Sequence, residues 1–117
     1  MNQGIRQIDV NEAQALAGSE GVVVIEVLPK KYWDVGHLPG AVWSTNEDLA
    51  KTAQTLVPSL DTTVLLYCAS VTCQNSHLAA DVLAGLGYRD LRVFGGGKAG
   101  WREAGLALEG ARSHAPA

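Results

Sequence analysis

Several things are scarce in this chain. Of its 117 residues only two are cysteine, one is methionine and one is phenylalanine, and charged side chains make up 18%. Cys68 and Cys73 stand five positions apart. A bridge between them would close too small a ring to staple a fold, so a disulfide framework is excluded and a packed core has to supply stability. Lys and Arg number 9 against 12 Asp and Glu, a formal net charge of −3, and the basic residues form no cluster. That balance speaks against nucleic acid or an anionic membrane surface as a partner. Apolar runs such as Val22 to Ile25 are far too short to span a bilayer. The opening stretch Met1 to Arg6 lacks the basic region and apolar segment of a signal peptide, so a cytoplasmic setting is expected. Internal repeats and linkers are missing too.

What is present is a hydrophobic fraction of 47%, enough for a globular protein. One domain is expected over residues 1–117, with its core at about 5–109 and a frayed tail at 110–117. Arg6-Gln7-Ile8 suits a short edge strand. Asp9 and Glu12 stand at capping-box spacing before Ala13, Leu16 and Ala17, and Gly18 ends that helix. Gly21 to Val27 is a β-branched run suited to a strand covered on both faces. A short helix is predicted over 29–36, with Pro29 in its first turn and Gly36 at its end. A turn over 37–42 leads into another short strand. Ser44 and Glu47 repeat the capping-box spacing ahead of Leu49, Ala53, Leu56 and Val57, and Pro58 stops that helix. Thr63 to Tyr67 is a central strand. Ser76 to Leu86 is a helix, with Leu78, Ala79, Val82, Leu83 and Leu86 placed on one side, and Leu91 to Phe94 is the last strand. The glycines at 95–97 then turn the chain into a short helix around Trp101. Strands alternating with helices imply a parallel sheet covered on both faces.

The stretch from Thr63 to Ala80 carries the chemistry. A strand ends at Cys68, a short polar loop follows, and a helix begins near Ser76. Sites in open parallel sheets lie beyond the carboxyl ends of the strands. A helix N-terminus favours anions and can lower a thiol's pKa, which makes Cys68 a candidate nucleophile; the plain alternative is a buried, space-filling cysteine. Cys73 is a resolving thiol, a second sulfur carrier or an inert loop residue. The C-x4-C pair is a poor zinc signal, even with His37 and His77 available, so no metal is assigned. His37 suits a turn tied by hydrogen bonds, and His77 suits a neutral, exposed place in the first helical turn. The run Gly95-Gly96-Gly97-Lys98 invites a phosphate-loop reading but lacks its spacing and hydroxyl. Trp33, Trp43 and Trp101 read as core or pocket walls.

Three segments, in order, resemble the rhodanese-like domain family. The first comprises Val24-Ile25-Glu26-Val27, Tyr32-Trp33 and Gly36-His37-Leu38-Pro39-Gly40-Ala41. The second comprises Tyr67-Cys68-Ala69-Ser70, the helix start Ser76 to Ala80, and Leu86-Gly87-Tyr88. The third is Val93 to Leu106, with its glycines, Trp101 and Ala104-Gly105. The resemblance implies a three-layer α/β/α sandwich around a five-stranded parallel sheet. It also implies a sulfurtransferase that carries sulfane sulfur as a persulfide on Cys68 and passes it to a thiol or another nucleophilic acceptor. Ala69, Ser70, Val71, Thr72, Cys73, Gln74 and Asn75 would then offer backbone N–H groups to the persulfide. No metal or organic cofactor is called for, because the sulfur is itself nucleophile and cargo. The partners expected are a small-molecule sulfur donor and a thiol or protein acceptor.

The loop departs from the family pattern. It is longer than usual and holds no Arg or Lys, with Gln74 and Asn75 where an arginine is common, while Leu28 stands where another often follows the second strand. An anionic donor such as thiosulfate loses a charge-assisted partner there. A phosphatase or arsenate reductase of related fold would need an arginine after five residues that follow the cysteine, and that position is Gln74. The alternatives are a thiol–disulfide redox or sensor protein using Cys68 and Cys73, and a rhodanese-like interaction module.

Overall fold

The structure is a computed structural model and describes residues 4–110, so the tail expected over 110–117 lies, past Gly110, outside the described residues. Five strands form one all-parallel sheet: β1 (Ile5–Ile8), β2 (Val22–Glu26), β3 (Val42–Trp43), β4 (Thr63–Tyr67) and β5 (Asp90–Phe94). Their spatial order is β1-β5-β4-β2-β3, which puts β4 in the middle. Five helices alternate with them: α1 (Val10–Leu16), α2 (Lys30–Asp34), α3 (Asn46–Leu56), α4 (Asn75–Gly85) and α5 (Gly97–Glu103). This is the three-layer α/β/α sandwich expected from the sequence. Among the described residues no helix is long and apolar enough to cross a membrane.

Successive strand residues point to opposite faces, and both faces are covered. Val64 and Leu66 join Leu49 and Ala53 of α3 and Ala79, Ala80 and Leu83 of α4 in one core. Leu65 and Tyr67 join Ala13 of α1 and Trp101 of α5 in the other. This double burial explains why β2 and β4 read as unbroken apolar runs.

Three local expectations are corrected. The cap of α3 is Thr45, not Ser44: Thr45 accepts from the Asp48 N–H at 3.3 Å, while Ser44 is buried and donates its hydroxyl to Thr45 O. The buried stripe of α4 is Ser76, Ala79, Ala80 and Leu83, which follows helical spacing, and it leaves Leu78 and Leu86 about half exposed. Small residues on the inner face let α4 lie close to the sheet, and the large leucines at the other positions turn outward. The helix expected over 29–36 is shorter, Lys30–Asp34, with Pro29 as its cap. Asp9 caps α1 by accepting from the Glu12 N–H at 3.0 Å.

Candidate functional site at the carboxyl end of β4

Cys68 directly follows β4 at the carboxyl edge of the sheet, and the loop from it reaches Gln74, the cap of α4. Cys68 and Cys73 are joined by a disulfide, with Cα atoms 6.3 Å apart. The two residues are unequal in exposure, since Cys68 is 1% exposed and Cys73 is only partly buried. Within the loop the Cys73 N–H donates to Ser70 O at 3.0 Å, and the Ser70 and Thr72 hydroxyls lie 3.1 Å apart. Ser76, wholly buried in the first turn of α4, holds its Oγ 3.8 Å from Cys68 Sγ.

Four neighbours fix the loop's ends. The Asn75 side-chain amide donates to Val27 O at 3.2 Å, and the Asn46 amide of α3 donates to Asn75 O at 3.2 Å. From the other side, the Lys98 and Ala99 N–H groups of α5 donate to Cys68 O and Ala69 O, each at 3.0 Å. That close approach requires Gly97. Its φ is +61°, and a Cβ there would collide with Cys68 O and lie 2.8 Å from Ala69 C.

Beneath the loop lies a buried polar network. Glu26 ends β2 beside Tyr67 in the sheet register. The Tyr67 hydroxyl donates to Glu26 Oε1 at 2.7 Å and accepts from the Leu38 N–H at 3.1 Å. Lys98 Nζ meets Glu26 Oε2 at 2.9 Å and donates to Tyr32 O at 2.6 Å. Glu26 is fully buried and Lys98 nearly so. Burial first, and then the charge and hydrogen bond of Glu26, hold the Tyr67 phenol far above its usual pKa. The cation of Lys98 is thus committed to an internal carboxylate, in keeping with a glycine run that serves as a tight turn and lacks the phosphate-loop pattern.

His37 and the tryptophans are scaffold. The His37 ring stacks on Trp33 with centroids 4.1 Å apart, and its Nδ1 lies 3.1 Å from Trp33 O. The His37 backbone pairs with Glu109, whose carboxylate accepts from the Gly40 N–H at 2.9 Å. His77 is half-buried in α4 rather than exposed. Trp101 is core, while Trp33 and Trp43 wall a hollow of about 430 Å³ beside β3. Among the described residues no three His, Cys, Asp or Glu side chains gather as around a metal ion.

Sequence reasoning singled out Cys68, Cys73 and the loop, but it did not anticipate the Glu26–Lys98 pair or the contact of Ser76. The available signal was a carboxylate closing an apolar strand and a lysine inside a glycine turn, two charges in positions that a parallel sheet buries.

The rhodanese-like domain family matches residues 9–104, and the chain belongs to that family. None of the curated proteins matches it. Among solved structures, a thiosulfate sulfurtransferase from Pseudomonas aeruginosa is similar over 92% of this chain, with 22% identity and a TM-score of 0.80. The chain spans only 21% of that protein's length. The rhodanese-like domain of an Anabaena sp. protein is 25% identical with a TM-score of 0.78, over 95% of this chain and 84% of that one. A rhodanese from E. coli, solved with anions, is 25% identical with a TM-score of 0.58, over 65% of this chain and 86% of its own.

Proposed function

We propose that Cys68 and Cys73 form a working thiol–disulfide couple on a single rhodanese-like domain, making the chain a redox or sensor protein. The observation that carries this reading is the bond between the two cysteines on the loop after the central strand. Oxidation removes two protons and two electrons from the thiols, and peroxide or oxidised glutathione takes up the electrons. Reduction needs an external thiol that is itself oxidised. The bond follows the carboxyl end of β4 and closes a short ring, which suits a reversible switch better than a staple.

A second reading is favoured by family membership: a sulfurtransferase carrying a persulfide on reduced Cys68, fed by a small-molecule donor and emptied onto a thiol or protein acceptor. The loop N–H groups of residues 69–72, 74 and 75 would steady the persulfide anion, while that of Cys73, also expected to do so, is taken up by Ser70 O. An anionic donor would find no Arg or Lys in the loop and a Lys98 already paired with Glu26. A cytoplasmic location belongs to the same proposal.

Intact mass spectrometry with peptide mapping separates the readings. The protein is treated in turn with peroxide, oxidised glutathione, thiosulfate, mercaptopyruvate and a persulfide donor. Reversible loss of two protons, with Cys68 linked to Cys73, is the expected result. Both thiols staying free under oxidant would sink the redox reading. A gain of one sulfur atom on Cys68 would put the sulfurtransferase first.

A further inference from the structure

We infer that reduction of the pair begins by attack of the incoming thiolate on Cys73 Sγ, with Cys68 departing as the thiolate. This rests on the redox reading above and adds a direction to it. In thiol–disulfide exchange the sulfur attacked is chosen by access and by how well the other sulfur leaves, and both favour the same assignment here.

Residue exposure differs across the bond. Cys68 is 1% exposed, and the Lys98 N–H holds its carbonyl. Cys73 is half-buried, next to Thr72 and Gln74, which are both exposed. An approaching thiolate therefore meets Cys73 first.

The departing sulfur is also better served at Cys68. The Ser76 hydroxyl, wholly buried, sits 3.8 Å from Cys68 Sγ, where it can donate to a thiolate once the bond is broken. Ser76 lies in the first turn of α4, an eleven-residue helix whose N-terminal end favours negative charge. A thiolate freed at Cys68 receives both.

The step balances. The external thiolate forms a bond to Cys73 Sγ as the Cys73–Cys68 bond breaks, and the electron pair of that bond goes to Cys68. A second external thiolate then attacks the reductant's sulfur in the mixed disulfide and releases Cys73 as a thiolate. The external thiols end as a disulfide, and the two cysteines end reduced.

The test uses the full oxidised chain and glutathione. Samples are acid-quenched through the reaction, alkylated with N-ethylmaleimide and peptide-mapped. Glutathione on Cys73 with the maleimide on Cys68 is the expected result, and glutathione on Cys68 would overturn the assignment. A starting protein with no Cys68–Cys73 bond after oxidation would instead defeat the redox reading itself. Where the adduct is too short-lived to map, the Ser76→Ala variant decides. Glutathione should reduce it about fivefold more slowly than wild type, as befits loss of one hydrogen bond to the leaving sulfur, and an unchanged rate would overturn the leaving-group assignment.

Discussion

Lys98 Nζ and Glu26 Oε2 lie 2.9 Å apart, both side chains buried, beneath the loop that carries Cys68. The two residues belong to α5 and β2, and through Tyr67 and Tyr32 the pair also reaches β4 and α2. A charge so enclosed is tolerable only with its partner in place. Lys98→Met should therefore cost about 3–5 kcal/mol, because the carboxylate is left buried and uncompensated. The double variant Lys98→Met, Glu26→Gln should recover part of that loss. Urea denaturation of both variants checks it, and a single-variant cost below about 1 kcal/mol would show that the pair is not coupled as described.

Tyr67 should govern the alkaline side of the stability profile. Its folded pKa is raised, so the unfolded chain ionises first, near the usual tyrosine value of about 10. The stabilisation is complete below that pH and is lost as pH rises above it. Tyr67→Phe should lower stability at neutral pH, since Glu26 and the Leu38 N–H lose a partner, and should flatten the fall above about pH 10. Denaturant midpoints between neutral and strongly alkaline pH measure both effects. An alkaline slope unaltered by the substitution would count against Tyr67 as its source.

Asp90 should act at the acid end. Hydrogen bonds from Arg92 first, and then from Thr63, hold its carboxyl below the ordinary carboxylate value, with Arg92 Nε at 2.6 Å and Thr63 Oγ1 at 2.7 Å. The contribution is present above the unfolded pKa of about 3.9 and disappears as pH falls through the lower folded value. Asp90→Asn should shift the acid-unfolding midpoint only slightly and make the acid limb shallower, because the carboxylate is partly exposed and screened. Acid titration followed by circular dichroism reads this directly.

Gly97→Ala should disturb the loop more than any nearby surface change. The new Cβ would meet Cys68 O and Ala69 C at a backbone φ of +61°, so strain and collision act together. A loss of about 2 kcal/mol or more is expected, with altered reactivity of the Cys68–Cys73 bond. Ala at Gly21, which has a φ of +80° but nothing within 4 Å, supplies the control for backbone strain alone.

Much of this architecture is local, and local features can be read from the sequence. Val64 to Tyr67, the cap at Asp9 and the stop at Pro58 each depend on neighbours a few positions away. The Glu26–Lys98 pair does not, because it is made only when α5 folds back across the end of β2. The cap of α3 was ambiguous for a different reason. Ser44–Glu47 and Thr45–Asp48 offer the same spacing one position apart, and burial of Ser44 at the end of β3 decides between them. The outward turn of Leu78 and Leu86 was hidden because α4 is apolar around much of its circumference, so only its packing partners select the inner face. The bond between Cys68 and Cys73 was open as one of several loop paths.

The strand order has a bearing on how the molecule opens. Its two margins are β1 and β3, and β3 has only two residues, a poor template for another chain's backbone. β4 is bracketed by β2 and β5 along its whole length. Its amides should exchange with solvent only near global unfolding. The thiols thus sit at the rim of the last region to come apart, where a loop can change chemical state while the platform under it stays shut.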